Sequence, residues 1–202
     1  MNRQKIAEIP FIYDAIQFFF GKPIIDERLK TFIERSSLNS TSYVLDLGGG
    51  TGLNRHLIHQ TNRYICLDLD LEKISTSLKR QEHNSSIMAD ACQIPLKNSS
   101  VDLVMLTAVT HHIPDTAIPA LFSEILRVLT PDGQFLLFDP IVDSRNPLGR
   151  FFLKYDLGAF PRTVSDMDDF LLKHFTPIFH TTFRILHSYL LFVGTARKGS
   201  EE

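Results

Sequence analysis

A chain of 202 residues with 44% hydrophobic and 22% charged residues has the bulk of one ordinary folded domain, which excludes the disordered, collagen-like and coiled-coil classes. Its formal net charge of −2, with Lys and Arg scattered along the chain, supplies no pull toward nucleic acid or an anionic membrane. Two cysteines, Cys66 and Cys92, each within or just after an apolar run, make no disulfide framework and are expected as small core residues of a reducing compartment.

The first forty residues stand apart from the alternating pattern that follows and are expected to form an N-terminal helical cap. Their apolar stretch FIYDAIQFFFG is interrupted by Asp14 and Gln17 and is too short to span a bilayer, while Glu8 and Pro10 spoil a secretory signal. The expectation is a cytoplasmic protein without an integral membrane segment.

Five short runs then read as strands: Tyr43–Leu47, Tyr64–Leu69, Ser86–Ala89, Val101–Leu106 and Gln134–Phe138. Each is nearly continuous in apolar residues, the pattern of parallel strands covered on both faces. Helical spacing separates them. Leu53, Leu57 and Ile58 mark one helix, and Leu71, Ile74 and Leu78 mark another with Asp70 as its N-cap. Leu121, Phe122, Ile125, Leu126 and Leu129 mark a third, stopped by the turn Thr130-Pro131-Asp132-Gly133.

After an insert at residues 140–164, SDMDDFLLKHF predicts a helix with Ser165 as N-cap and Asp168 three residues on. The run TTFRILHSYLLFVGTARK predicts two strands joined around His187-Ser188, so residues 165–197 supply a closing helix and hairpin. The fold class is therefore α/β: one domain built on a doubly wound, mostly parallel, seven-stranded Rossmann-like sheet that ends in an antiparallel hairpin.

VLDLGGGTG closes the first strand, the usual ligand position of an open α/β sheet. Glycines at 48, 50 and 52 let the backbone turn sharply. A dinucleotide fingerprint G-x-G-x-x-G would need glycine where Leu53 or Arg55 stands, which counts against NAD and FAD. Asp46 is awkward beside a pyrophosphate but suits an ammonium group, and Asp68, at the end of the second strand, can accept hydrogen bonds from ribose hydroxyls. Together they point to a nucleoside with a cationic amino-acid tail. The structural alternatives are that Asp46 caps the glycine turn, that Asp68 caps the helix of the following segment and that Asp90 is an ordinary strand-end residue. Asp102 reads as structural, orienting the turn before it.

VLDLGGGTG, ICLDLD, IMADACQIPLKNSSVDLVMLTAVTHHIPD and LFSEILRVLTPDGQFLLFDP, in that order, resemble the signature regions of class I S-adenosylmethionine-dependent methyltransferases over roughly residues 43–140. The resemblance is to the small-molecule group that includes the quinone-biosynthesis enzymes. It implies transfer of a methyl group from S-adenosylmethionine to a small-molecule acceptor, leaving S-adenosylhomocysteine. It puts Asp46, Gly48, Gly50 and Thr51 around the methionine portion, Asp68 with Leu69 at the ribose, Asp90 and Ala91 at the adenine, and Thr107 in the pocket wall. Residues 43–139 would be the cofactor-binding core and residues 140–164 an acceptor-side insert. Asp132, where the family usually has glycine, is a departure in a turn away from the cofactor.

Histidine titrates near neutral pH and is the natural base for an oxygen or carbon acceptor, so His111 and His112 of the HHIPD run are the candidate catalytic residues, with Asp139 as a group that orients the acceptor. The alternative is that the pair only shapes its loop. No third ligand stands at metal spacing, and no metal is expected. Phe18–Phe20, Phe151, Phe152, Leu153, Tyr155 and Phe160 suit an apolar acceptor, whereas Arg145, Arg150, Lys154 and Arg162 suit an anionic one. Two rival readings are a nicotinamide-dependent oxidoreductase and a non-catalytic module that binds S-adenosylmethionine.

Overall fold

Val44, Leu45 and Leu47 of the first strand are completely buried, because strands flank it on both edges and separate apolar layers cover its two faces. The computed structural model describes residues 21–34, 36, 38–80, 85–146, 159–185 and 187–197. In chain order these form α1 (Lys22–Glu34), β1 (Tyr43–Leu47), a 3-10 turn (Leu53–Leu57), β2 (Arg63–Asp68), α2 (Leu71–Arg80), β3 (Ser85–Met88) and β4 (Val101–Thr107). A second 3-10 turn (Thr110–His112), α3 (Ile118–Val128), β5 (Leu129–Ile141), α4 (Val164–His174), β6 (Phe175–Arg184) and β7 (Ser188–Ala196) follow.

The seven strands lie in the order β3-β2-β1-β4-β5-β7-β6. β1 to β5 pair in parallel, and β7 runs antiparallel to both β5 and β6, so it is the one reversed strand. The expected sheet and hairpin are both present. Alternate residues of each strand feed two cores. Leu45, Leu47, Val104 and Leu106 pack against Phe122, Ile125, Met167 and Leu171 of α3 and α4. Val44, Tyr64, Leu103 and Met105 pack against Leu29 and Ile33 of α1 and Ile74 of α2. Burial of each large side chain contributes about 2 kcal/mol, so this two-sided layering carries most of the favourable energy.

Several local expectations change. The helix expected after the glycines is only the 3-10 turn Leu53–Leu57, started by left-handed Gly52 and ended by extended Ile58. Asp70 does cap α2, accepting from the backbone N–H groups of Glu72 and Lys73 at 2.8 and 3.2 Å. Leu71 and Leu78, however, are 61% and 52% exposed. The buried stripe is Ile74 and Ser77, since α2 rests on the narrow edge formed by β2 and the four-residue β3.

The turn Thr130–Gly133 lies inside β5 as a register break: Val101 pairs with Leu129, and Leu103 with Gln134. Asp102 reaches across the sheet rather than back along its own chain. Its carboxylate accepts from the Tyr43 N–H at 2.8 Å and the Thr130 hydroxyl at 3.3 Å, tying the break to the start of β1. α4 begins two residues earlier than expected, because Thr163 and Asp166 form a reciprocal capping box. Asp168 instead meets His180 at 2.8 Å.

Cys66 is fully buried and Cys92 half-buried; neither is in a disulfide. Burial, reinforced by the nearby Asp46 charge, pushes the Cys66 thiol up to about 12. Among the described residues no helix is long and apolar enough to cross a membrane. Phe18–Phe20, Arg150, Phe151, Phe152, Leu153, Lys154 and Tyr155 lie outside the described residues.

Candidate active site

β1 and β4 are neighbours in the sheet although β2 and β3 intervene in the chain, so the strand order reverses between them. A crevice opens at the carboxyl ends of the strands at such a point. The loop that fills it has Gly48, Gly50 and Gly52 all left-handed, with φ of 72°, 56° and 75°. Gly48 leaves no room for a side chain, since a Cβ there would overlap the Val109 side chain. Gly49 has an ordinary φ, but a Cβ would lie 2.6 Å from the Asp46 carboxylate. At these two positions the protein's own packing requires glycine, whatever ligand the loop accepts.

Asp68 fixes the loop. One carboxylate oxygen accepts from the Gly50 N–H at 2.9 Å, and the other accepts from the Asp70 N–H at the same distance. Leu69 beside it is 73% exposed on the rim. Asp90 is exposed and accepts from the Cys92 N–H at 2.8 Å, with half-buried Ala91 between them. The Ala89 N–H donates to the Asp68 carbonyl, so the exits of β2 and β3 stand side by side.

Asp46 behaves differently from these rim acids: it is 0% exposed. It accepts from the Tyr64 hydroxyl and from Nδ2 of Asn54, which lies 3.3 and 3.1 Å from its two oxygens. The same Asn54 nitrogen donates to the Thr107 hydroxyl at 2.8 Å. Burial, then the Asp46 charge, drive the Tyr64 phenol well above its ordinary pKa, so it stays a neutral donor. Tyr64 and Asn54 were not singled out in the sequence. Tyr64 sits in a run that reads as plain strand, and its role follows only from the register that pairs it with Val44, two residues before Asp46 and on the same face of the strand.

The cavity at the loop measures about 50 Å³ and is lined by Gly48, Gly49, Thr51, Asn54 and Thr107, together with Ile25 and Leu29 of α1. Buried Thr51 also accepts from the Arg80 guanidinium at 3.1 Å. Asp46, Gly48, Gly50, Thr51 and Thr107 are thus drawn together, with Asp68 behind the loop.

The two histidines separate. His111 is 3% exposed, and its Nδ1 meets the 1%-exposed Asp139 carboxylate at 2.6 Å. Asp139 also accepts from the Thr110 N–H at 2.7 Å and from the Thr110 hydroxyl. His112 is exposed, its ring 4.1 Å from that of His111. Buried Arg162 straps this loop, donating to the Thr110 and Ile113 carbonyls at 2.6 Å each and to Asp115 at 2.8 Å. Its guanidinium is engaged there. Arg145 pairs with Asp143 at 3.2 Å. Among the described residues no group of three or more His, Cys, Asp or Glu could hold a metal.

Strand order and glycine loop define a doubly wound α/β protein with its ligand crevice between β1 and β4. Residues 45–137 match the family model described as a methyltransferase domain. The chain is 32% identical over 143 residues to malonyl-[acyl-carrier protein] O-methyltransferase of Marinomonas sp., covering 67% of this chain and 49% of that one. It is 29% identical over 143 residues to the ubiquinone/menaquinone biosynthesis C-methyltransferase UbiE of Pseudomonas aeruginosa, covering 64% and 54%. The chain spans about half the length of the curated relatives it matches. Among solved structures, geranyl diphosphate methyltransferase in complex with SAM superimposes with a TM-score of 0.72 at 10% identity, covering 85% of each chain. The chain carries a class I S-adenosylmethionine-dependent methyltransferase domain.

Proposed function

We propose that the protein binds S-adenosylmethionine in the glycine crevice and transfers its methyl group to a small-molecule acceptor. The observation that carries this reading is the crevice itself. Three left-handed glycines, of which Asp68 pins Gly50, stand at the reversal of strand order, beside a neutral polar wall with a buried carboxylate behind it. A pyrophosphate would meet that carboxylate unfavourably, and an ammonium group favourably. The reversed β7 also departs from the 3-2-1-4-5-6 parallel order of nicotinamide-binding sheets.

In this reading Gly48, Gly50, Thr51 and Thr107 surround the methionine portion under the influence of Asp46. Asp68 and Leu69 serve the ribose, and Asp90 and Ala91 the adenine. The bound sulfonium supplies an activated methyl carbon, so the chain's task is to align the acceptor and exclude water. A hydroxyl or carbon acid also has to lose a proton. His111 is the better base of the two, because Asp139 holds its Nδ1 and thereby fixes the tautomer and the direction of Nε2.

The acceptor is a small molecule with substantial apolar surface. Phe138 borders the cavity and stacks on Tyr189 at 4.8 Å and on Phe183 at 5.8 Å. Among the printed names of similar proteins, geranyl diphosphate joins an apolar chain to an anionic diphosphate, and a ubiquinone/menaquinone biosynthesis C-methyltransferase points to an apolar acceptor. Calorimetric titration with S-adenosylmethionine and S-adenosylhomocysteine tests the reading: saturable binding of both is expected, and no heat with either overturns it.

A further inference from the structure

Asp46 is the charge that makes the crevice suit a cationic ligand, yet it is fully buried and does not line the cavity. Asn54 does line it. A carboxylate only accepts hydrogen bonds, so the end of the Asn54 amide facing Asp46 is its nitrogen. That nitrogen has a second partner in the Thr107 hydroxyl at 2.8 Å. Carboxylate and hydroxyl together orient the amide, and they leave Oδ1 as the end turned from Asp46. An ionised carboxylate behind the amide polarises it in a low-dielectric setting, which strengthens Oδ1 as an acceptor. Tyr64 also holds Asp46 through its hydroxyl. The cavity wall therefore meets a ligand with a neutral amide backed by a negative charge.

We propose that Asn54 is the residue that selects the cationic end of the ligand, with Thr107 and the buried Asp46–Tyr64 pair as its positioning groups. This rests on the reading of the crevice as an S-adenosylmethionine site, and it replaces direct contact by Asp46 with contact through Asn54. Asp46 sets the sign of the field, and Asn54 sets the point at which an ammonium group is recognised.

The test compares S-adenosylhomocysteine with 5′-methylthioadenosine, which keeps the nucleoside thioether and lacks the amino-acid tail. Calorimetry on the full chain is expected to give tighter binding of S-adenosylhomocysteine to the wild type. Asn54→Leu should weaken S-adenosylhomocysteine by about tenfold or more and leave 5′-methylthioadenosine within about twofold, the signature of a lost hydrogen bond to a charged group. Thr107→Val keeps the branched shape and removes the hydroxyl. It should give the same selective loss to a smaller degree, and it stands in if Asn54→Leu does not fold. Variants that weaken both ligands equally, or that leave S-adenosylhomocysteine unchanged, overturn the role of Asn54 alone. A wild-type protein that binds neither ligand overturns the methyltransferase reading and this inference with it.

Discussion

Asp139, at the end of β5, and His111, in the 3-10 turn after β4, meet at 2.6 Å with almost no exposure of either side chain. Asp139 carries the Thr110 N–H and hydroxyl as well, so one carboxylate satisfies three donors that are out of reach of water.

Asp139→Ala is therefore expected to cost about 3 kcal/mol or more, because it leaves buried donors unsatisfied at about 1–3 kcal/mol each. His112→Ala, on the exposed neighbour, should fall within about 0.5 kcal/mol of wild type. Urea unfolding followed by circular dichroism measures both. Equal effects from the two substitutions would show that burial of the Asp139–His111 contact is not what stabilises this loop.

Gly48→Ala has two separable costs. A residue with a Cβ at φ 72° loses about 1–2 kcal/mol, and overlap with Val109 adds about 1–3 kcal/mol. Adding Val109→Ala relieves the overlap and leaves the backbone cost, so the double variant should be more stable than the sum of the singles predicts. A double-mutant cycle in urea reads this coupling, and strict additivity would refute the contact.

Thr163→Ala removes half of the α4 capping box and is expected to destabilise the protein by about 1 kcal/mol at neutral pH. The sign of its pH dependence follows from Asp166. The Thr163 N–H, then its hydroxyl, hold the Asp166 carboxyl below its ordinary value. A lowered folded-state pKa contributes stability above the unfolded value of about 4 and loses it as the pH falls through the folded value. The gap between wild type and Thr163→Ala should thus narrow on acidification below about pH 4. Melting temperatures across that range check it, and a gap that widens in acid would contradict the capping role.

The parts of the fold legible in the sequence are those set by local pattern. Tyr43–Leu47 reads as a strand to the residue, and the α3 stripe of Leu121, Phe122 and Ile125 is buried as its spacing implies. The misread parts depend on partners distant in the chain. Leu71 and Leu78 have core spacing but find no sheet beneath them at the narrow β3 edge. Thr163 outcompetes Ser165 as cap because Asp166 can answer it reciprocally. In the site, Asp46, Asp68 and the glycines stand out in one segment or at a set interval, whereas Asn54 and Tyr64 acquire meaning only when β1, β2 and β4 are laid side by side. The segment 140–164 is read least well, because it carries apolar and basic residues without a spacing that assigns a contact.

Ile25 and Leu29 bear on ligand entry. They line one wall of a cavity of about 50 Å³, whereas sites for ligands of this size enclose about 300 Å³ or more. Leu29 is also part of the core with Ile33, so α1 cannot withdraw these side chains without disturbing its own packing. One link from α1 to the 3-10 turn after the glycines is the Asp26–His56 contact at 2.9 Å, with His56 half-exposed. Binding of S-adenosylhomocysteine is therefore expected to shift α1 as a unit. Hydrogen exchange should change across Lys22–Glu34 on adding S-adenosylhomocysteine, while the central strand β4 stays protected in both states. Ile25→Ala should widen the cavity and raise the association rate without strengthening the contacts made by the glycine loop. Exchange in α1 that is identical with and without bound ligand would mean that the space comes from elsewhere, and the assignment of α1 as the mobile wall would fall.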